Sequence, residues 1–293
     1  MTIKSQPEIG VFNMPRQKRV AAIHDISCFG KCSLTVVLPI LSSAGIETSV
    51  IPTAVLSTHT GGFTGYTYRD LTEDILPVVS HWQTLDLTFD AVYTGFLGSF
   101  RQIDIVSEIF DRLKTEDNMI VVDPVMADNG KLYPIYGDDF PSGIKKLCRK
   151  ADLLIPNITE ACLLLGRKYE PGPYEVSFVE SMLDELAGLG PKQVVLTGVS
   201  FDDAHLGAAS LDYASGKIDY SFSKRIEGFY HGTGDVFAST LVAGLLTGHD
   251  LNKASRLAVD FTVKSIIRTK DAGTDIRFGV NFETGLGELA NIL

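Results

Sequence analysis

The tetrapeptide Gly232-Thr233-Gly234-Asp235 stands immediately before the apolar run Val236–Leu246 and is the sharpest chemical feature of the chain. Its glycines let the backbone turn tightly and approach a ligand closely. The amides that follow would open a helix N-terminus, where unpaired N–H groups and the helix dipole favour an anion. A carboxylate in that first turn has two uses. It can complement the dipole and do no chemistry, or it can take a proton from a hydroxyl while the amides hold developing negative charge. Four residues alone leave both readings open.

Two further acids follow β-rich runs. Asp123-Pro124-Val125-Met126 comes after Met119–Val122, and Pro156-Asn157-Ile158-Thr159-Glu160 comes after Leu153–Ile155. The second segment also reads as a helix start, with Thr159 as cap and Glu160 in the first turn. Taken together, Asp123, Asn157 and Glu160 supply hard oxygens of the kind that hold Mg²⁺ and its waters. With the Gly-Thr-Gly-Asp turn they suit phosphoryl transfer from a Mg-nucleotide. Two look-alike motifs fail: Phe237 stands where a dinucleotide fingerprint needs its third glycine, and Asp25 stands where a P-loop ending at Gly30-Lys31 needs its first. Cys28, Cys32, Cys148 and Cys162 form no CxxC pair, so they read as ordinary reduced thiols.

These residues need a frame. Short β-rich runs (Val20–Ile23, Thr48–Pro52, Ala91–Tyr93, Met119–Val122, Leu153–Ile155, Gln193–Thr197) alternate with longer stretches of helical period (Ser33–Ala44, Thr72–Trp82, Ser99–Lys114, Ser142–Arg149, Ser177–Leu189, Thr233–Thr247, Asn252–Arg268). Several strand runs are continuously apolar, as parallel strands covered on both faces should be. Ser33, Ser99 and Ser177 are the expected N-caps. The alternation predicts an α/β chain with a doubly wound, mainly parallel sheet. Residues 205–225 break the rhythm as a hairpin, which adds antiparallel strands near one edge. In such a sheet ligands collect beyond the carboxyl ends of the strands. That rule brings His24–Ser33, Thr53–Gly65, Asp123–Tyr136, Pro156–Glu160 and Gly228–Asp235 to one side. Residues 1–18 read as a polar arm, of which 1–17 are removable without loss of fold or activity, and 19–293 as a single domain. His59, His231 and Trp82 read more simply as turn and packing residues than as chemical groups.

Composition narrows the partners. Among 293 residues, 26 are basic and 36 acidic, a net charge of −10 that disfavours nucleic acid and anionic membranes. The first 19 residues carry no apolar signal core. The longest apolar stretch, Val236–Leu246, is shorter than the roughly 20 residues that span a bilayer. The expectation is a cytoplasmic protein with no nucleic-acid or membrane partner.

The ordered blocks AAIHDISCFGKCSLTVVLPILSSAGIETSVIPTAVLSTHTGGF, YTGFLGS, VVDPVMADNGKLY, LIPNITEACLLLG, VVLTGV and GTGDVFAS resemble the vitamin B6 kinases of the ribokinase-like superfamily, the pyridoxamine/pyridoxal kinase branch above all. The likeness runs from residue 19 to about 270. It implies a three-layer α/β/α fold and ATP-dependent phosphorylation of the 5′-hydroxymethyl group of pyridoxal, pyridoxamine or pyridoxine. It also implies Mg²⁺, leaves a monovalent cation open, and implies a homodimer. By the same resemblance Asp235 is the base and Gly232, Thr233 and Gly234 the anion hole. Asp123, Asn157 and Glu160 arrange Mg²⁺ and the triphosphate, with Asp123 and Glu160 on the metal side. Thr197 contacts nucleotide phosphate, and Asp128 through Tyr133 form a flap over it. His24 or Asp25, Thr60 and Phe96 line the vitamer site. The chain departs from the family pattern at three places. His24-Asp25 replaces a serine, Phe96 a tyrosine, and Ala127 the glycine usual after the DPVM block, which would stiffen the flap or narrow the approach to phosphate. A hydroxymethylpyrimidine kinase and a non-catalytic sensor on the same fold are the alternatives.

Overall fold

The structure, a computed structural model, describes residues 16–293. It begins with β1 (Arg19–Ser27), α1 (Leu34–Ser43), β2 (Glu47–Leu56), the short β3 (Tyr68–Asp70), α2 (Thr72–Gln83), β4 (Ala91–Thr94) and α3 (Phe100–Leu113). There follow β5 (Met119–Val122), the two-residue strands β6 (Ala127–Asp128) and β7 (Lys131–Leu132), α4 (Phe140–Cys148), β8 (Leu153–Leu154), α5 (Ile158–Leu165) and α6 (Val176–Ala187). The last third holds β9 (Gln193–Val199), β10 (His205–Asp212), β11 (Lys217–Lys224), α7 (Thr233–Leu246), α8 (Leu251–Asp271) and α9 (Leu286–Ile292).

The main sheet has the order β11-β10-β9-β8-β5-β4-β1-β2-β3. Its centre is parallel, and the β9–β10, β10–β11 and β2–β3 pairs are antiparallel. The expected hairpin therefore lies at one edge. The opposite edge strand, β3, was not foreseen, because three exposed residues carry no periodicity. Side chains alternate between the faces of β1: Ala21 and Ile23 pack into the α2–α6 side, Val20 and Ala22 into the α1, α7 and α8 side. Helices thus cover both faces, which explains the continuous apolar runs. This is the three-layer α/β/α arrangement of the ribokinase-like fold. Trp82 is half-buried and packs against the core residue Phe89 with ring centroids 5.4 Å apart.

Capping follows the sequence in some places and departs from it in others. Ser99 caps α3, its hydroxyl accepting the Gln102 amide at 3.2 Å. Ser177 does not cap α6, which begins one residue earlier after Glu175. The arm also needs correcting. Residues 1–15 lie outside the described residues, but Arg16 and Lys18 both pair with Asp90, and the Gln17 amide donates to the Gly45 carbonyl at 2.9 Å. Truncation up to residue 17 would therefore cut ties to the segments that lead into β2 and β4. No helix among the described residues is long and apolar enough to cross a membrane.

The chain reverses direction at β1, whose neighbours are β2 on one side and β4 on the other. That is a topological switch point, and the crevice outside the strand ends there is where such sheets bind ligands.

Candidate active site

The Gly-Thr-Gly-Asp turn opens α7 at this crevice. Gly232 occupies the helix N-cap with φ 76°, and a Cβ there would lie 2.0 Å from the Lys31 carbonyl oxygen. Only glycine fits, because both the left-handed backbone and the contact exclude a side chain. No side chain caps α7, so its first-turn amides remain free to meet an anion. Asp235 sits in that first turn. Burial pushes its carboxyl up to about 7, the Ser33 amide opposing the shift and the charge of Asp25 adding to it.

Ser33 links the two acids. Expected as the cap of α1, it makes no cap bond. Its backbone sits at φ 55°, a conformation unusual outside glycine. Its hydroxyl instead donates to Asp25 at 2.5 Å, and Ser27 donates to the same carboxylate at 3.1 Å. Ser33 thus holds Asp25 through its side chain, and its backbone amide lies near enough to Asp235 to favour the ionised carboxylate. Burial raises the Asp25 carboxyl, and these hydroxyls partly counter it.

His24 does not line the crevice, which corrects the expectation that it serves a ligand. It is fully buried, edge-on to Tyr93 at 4.5 Å, and burial holds its pKa at about 3. Its register explains why: β2 and β4 still flank β1 here, with His24 opposite Pro52 and Ile23 opposite Thr94. Gly95 leaves the room its ring occupies, since a Cβ there would come within 2.6 Å of Nδ1. Thr60 is half-buried in a loop that His59 stitches down. The His59 Nε2–H donates to the Arg277 carbonyl at 2.7 Å while Nδ1 accepts the Gly61 amide at 3.1 Å, so the ring is neutral. The His231 ring lies beside it, tilted by 40°, with centroids 5.0 Å apart. Both histidines hold loops together.

Phe96 is half-buried and has an aromatic neighbour the sequence reading missed. The Tyr136 ring lies 6.0 Å from it, and the Tyr136 hydroxyl donates to the Leu97 carbonyl at 2.7 Å. Burial raises the Tyr136 phenol, and the nearby Asp25 and Glu160 charges raise it further. The only sequence signal for this residue was an aromatic just after the flap.

Asp123, Asp128, Asn157, Glu160 and Thr197 sit at or just beyond β5, β6, β8 and β9, with Asp235 near enough to Asp123 to act on it through charge. Asn157 and Glu160 form a capping box on α5: the Asn157 side chain accepts the Glu160 amide and Glu160 Oε2 accepts the Asn157 amide, each at 2.9 Å. Asn157, not Thr159, is therefore the cap. Thr197 adjoins Asn157 through a parallel bridge. Burial raises the carboxyls of both Asp123 and Glu160, and the charges of Glu160 and Asp235 push Asp123 further up. Asp128 is raised by burial as well. Among the described residues no basic side chain pairs with Asp123, Glu160 or Asp235.

Residues 40–279 match the family described as phosphomethylpyrimidine kinase. The chain belongs to that family. A Bacteroides thetaiotaomicron protein assigned to the phosphomethylpyrimidine kinases, solved in a form with pyridoxal, superposes with a TM-score of 0.89 at 36% identity, covering 94% of this chain and 96% of that one. The pyridoxal kinase of Lactobacillus plantarum gives 0.84 at 31% identity, covering 95% and 98%. The pyridoxal kinase of Arabidopsis thaliana is 28% identical over 244 residues, 78% of this chain and 74% of that one. This member of the phosphomethylpyrimidine kinase family is an ATP-using phosphotransferase with an alcohol acceptor, of pyridoxal kinase or phosphomethylpyrimidine kinase type.

The acids of this kinase fit a hydrated Mg²⁺. Among the described residues no three acids converge closely enough to ligate a bare ion, but Glu160 and Asp235 both act on Asp123 through charge, and Asp123 accepts no hydrogen bond from a described protein donor. Glu160 differs: Oε1 accepts the Met126 amide at 3.1 Å and Oε2 the Asn157 amide. With one lone pair of each oxygen so used, Glu160 is held in place and would anchor the hydrated metal mainly through its waters. Glu160→Gln puts an NH₂ group against one of those amides. It should cost about 1–3 kcal/mol of stability and raise the Mg²⁺ requirement. Unchanged urea midpoint and Mg²⁺ titration would remove Glu160 from both roles.

Proposed function

We propose that the protein transfers the γ-phosphoryl group of ATP to the 5′-hydroxymethyl group of a B6 vitamer. The observation that carries this reading is the placement of Asp235, half-buried at an uncapped helix N-terminus with a carboxyl raised to about 7. A base poised near neutral pH is partly ionised and still accepts a proton well. Asp235 takes the alcohol proton as the new P–O bond forms, and the amides behind Gly232, Thr233 and Gly234 hold the charge gathering on the transferred group. Asn157 and Thr197 hold the phosphates, Asp128 would reach them through the metal or its waters, and Asp123, with Glu160 behind water, would hold Mg²⁺. The metal, when bound, neutralises charge between the phosphates. Asp25 pairs with a polar atom of the ring from the crevice floor, while Phe96 and Tyr136 supply an aromatic wall beside Thr60.

The phosphomethylpyrimidine kinase family description, and an Aquifex aeolicus relative named as a hydroxymethylpyrimidine/phosphomethylpyrimidine kinase, keep a second substrate in view, a hydroxymethylpyrimidine. The buried Asp25, held by two hydroxyls, favours the vitamer, because a rigid polar partner penalises a ring that leaves it unpaired. In competition, pyridoxal or pyridoxamine should exceed hydroxymethylpyrimidine by at least about tenfold in kcat/KM, or ~1.4 kcal/mol. Asp25→Ala should collapse that ratio. Preference for the pyrimidine alcohol would move the assignment to the second substrate, and an unchanged ratio in Asp25→Ala would remove Asp25 from the ring site.

A further inference from the structure

The flap is a hairpin too small to stand alone. β6 and β7 pair at two positions only, Ala127 with Leu132 and Asp128 with Lys131, and isolated hairpins of even greater length are marginal in water. Its turn is well formed. Asn129 and Gly130 have φ 49° and 76°, consecutive positive values that match a two-residue type I′ connection. Something outside the hairpin must therefore keep it folded.

At its base the hold comes from residues already placed at the site. The Tyr133 amide donates to the Met126 carbonyl at 2.9 Å, the Met126 amide donates to Glu160, and the Asn157 side chain donates to the Ala127 carbonyl at 2.9 Å. Ala127 is itself buried in β6 and continues the strand. At the tip the hold comes from two residues with no other assigned role. The Gly130 amide donates to Thr159 Oγ1 at 3.0 Å, the one hydrogen bond that hydroxyl makes among the described residues. Thr159 is buried at 3% exposure, in the first turn of α5 between Asn157 and Glu160. Tyr169, from the segment after α5, lays its ring against Gly130 so closely that a Cβ there would come within 2.5 Å of the ring.

We propose that Thr159 and Tyr169 are positioning residues that seat the flap tip and thereby hold Asp128 on the nucleotide side of the site. The proposal deepens the kinase reading and rests on it, since Asp128 is a nucleotide contact only there. Asn129 and Gly130 are solvent-exposed, so the seated tip is held by one hydrogen bond and one ring contact. Losing either should unseat it far more often without touching Asp235.

The test uses the full chain with Thr159→Val, Thr159→Ser, Tyr169→Ala and Tyr169→Phe. Without nucleotide, Thr159→Val and Tyr169→Ala should speed hydrogen exchange across residues 126–133 by about five- to tenfold, the effect of losing one net hydrogen bond or contact. Exchange in β5 and α7 should stay unchanged. KM for ATP should rise by a similar factor with kcat within about twofold. Thr159→Ser and Tyr169→Phe should restore both readouts. Unchanged flap exchange, a uniform rise over the whole chain, or an unchanged KM would overturn the proposal. Faster flap exchange in a protein that phosphorylates neither pyridoxal nor hydroxymethylpyrimidine would instead count against the kinase reading and leave the seat standing.

Discussion

Asp235→Asn is expected to lower kcat by about 10² to 10⁴, the usual cost of losing a general base, with ATP affinity close to wild type. The substitution keeps the shape and removes only the proton acceptor, so binding barely registers it. In the wild type, activity should fall as pH drops through about 7, because burial has raised the Asp235 carboxyl to that value and protonation disables it. The variant's residual rate should lack that limb. Stability should move the other way. A carboxyl raised above its unfolded value stabilises the fold fully at low pH, and that contribution is lost as pH rises through the folded pKa. At pH 8 the Asn variant should therefore melt higher than the wild type, and at pH 4 the gain should vanish. A variant with wild-type kcat would remove Asp235 from the chemistry.

Gly232→Ala should be nearly as damaging through the backbone alone. Its φ of 76° is unfavourable for alanine, and the added methyl would meet the Lys31 carbonyl at 2.0 Å. Backbone faces the methyl, so no side chain can swing aside. The turn must shift, carrying the first amides of α7 off their target. Losing one such donor typically costs about 10² to 10³ in kcat, and displacing the turn affects more than one. The melting temperature should fall too, since the β1–α1 loop and the α7 turn press together at this point. Near-normal turnover in Gly232→Ala would show that the turn does not hold the transferred group.

Much of this arrangement was legible in the residues. The continuous apolar strand runs declared a sheet covered on both faces, and the Gly-Thr-Gly-Asp turn marked where α7 would begin. The Asn157-x-x-Glu160 spacing is a capping box and could have displaced Thr159 as the cap. Other features leave no pattern. β3, β6 and β7 are two or three residues long, too short for any period, and exist because β2, Glu160 and Thr159 supply partners. His24 ends a predicted strand, yet a strand end says nothing about which neighbours still cover it. Ser33 carries the composition of a helix cap, and only its left-handed backbone turns its hydroxyl toward Asp25. Tyr136 joins Phe96 across a chain separation that no local pattern reports.

The most direct measurement mixes the purified protein with MgATP and pyridoxal and follows ADP and phosphorylated product together. The account predicts one pyridoxal 5′-phosphate for each ADP, and a loss of both in Asp235→Asn. ADP formed without the phosphorylated vitamer, or neither product from the wild type, would contradict it.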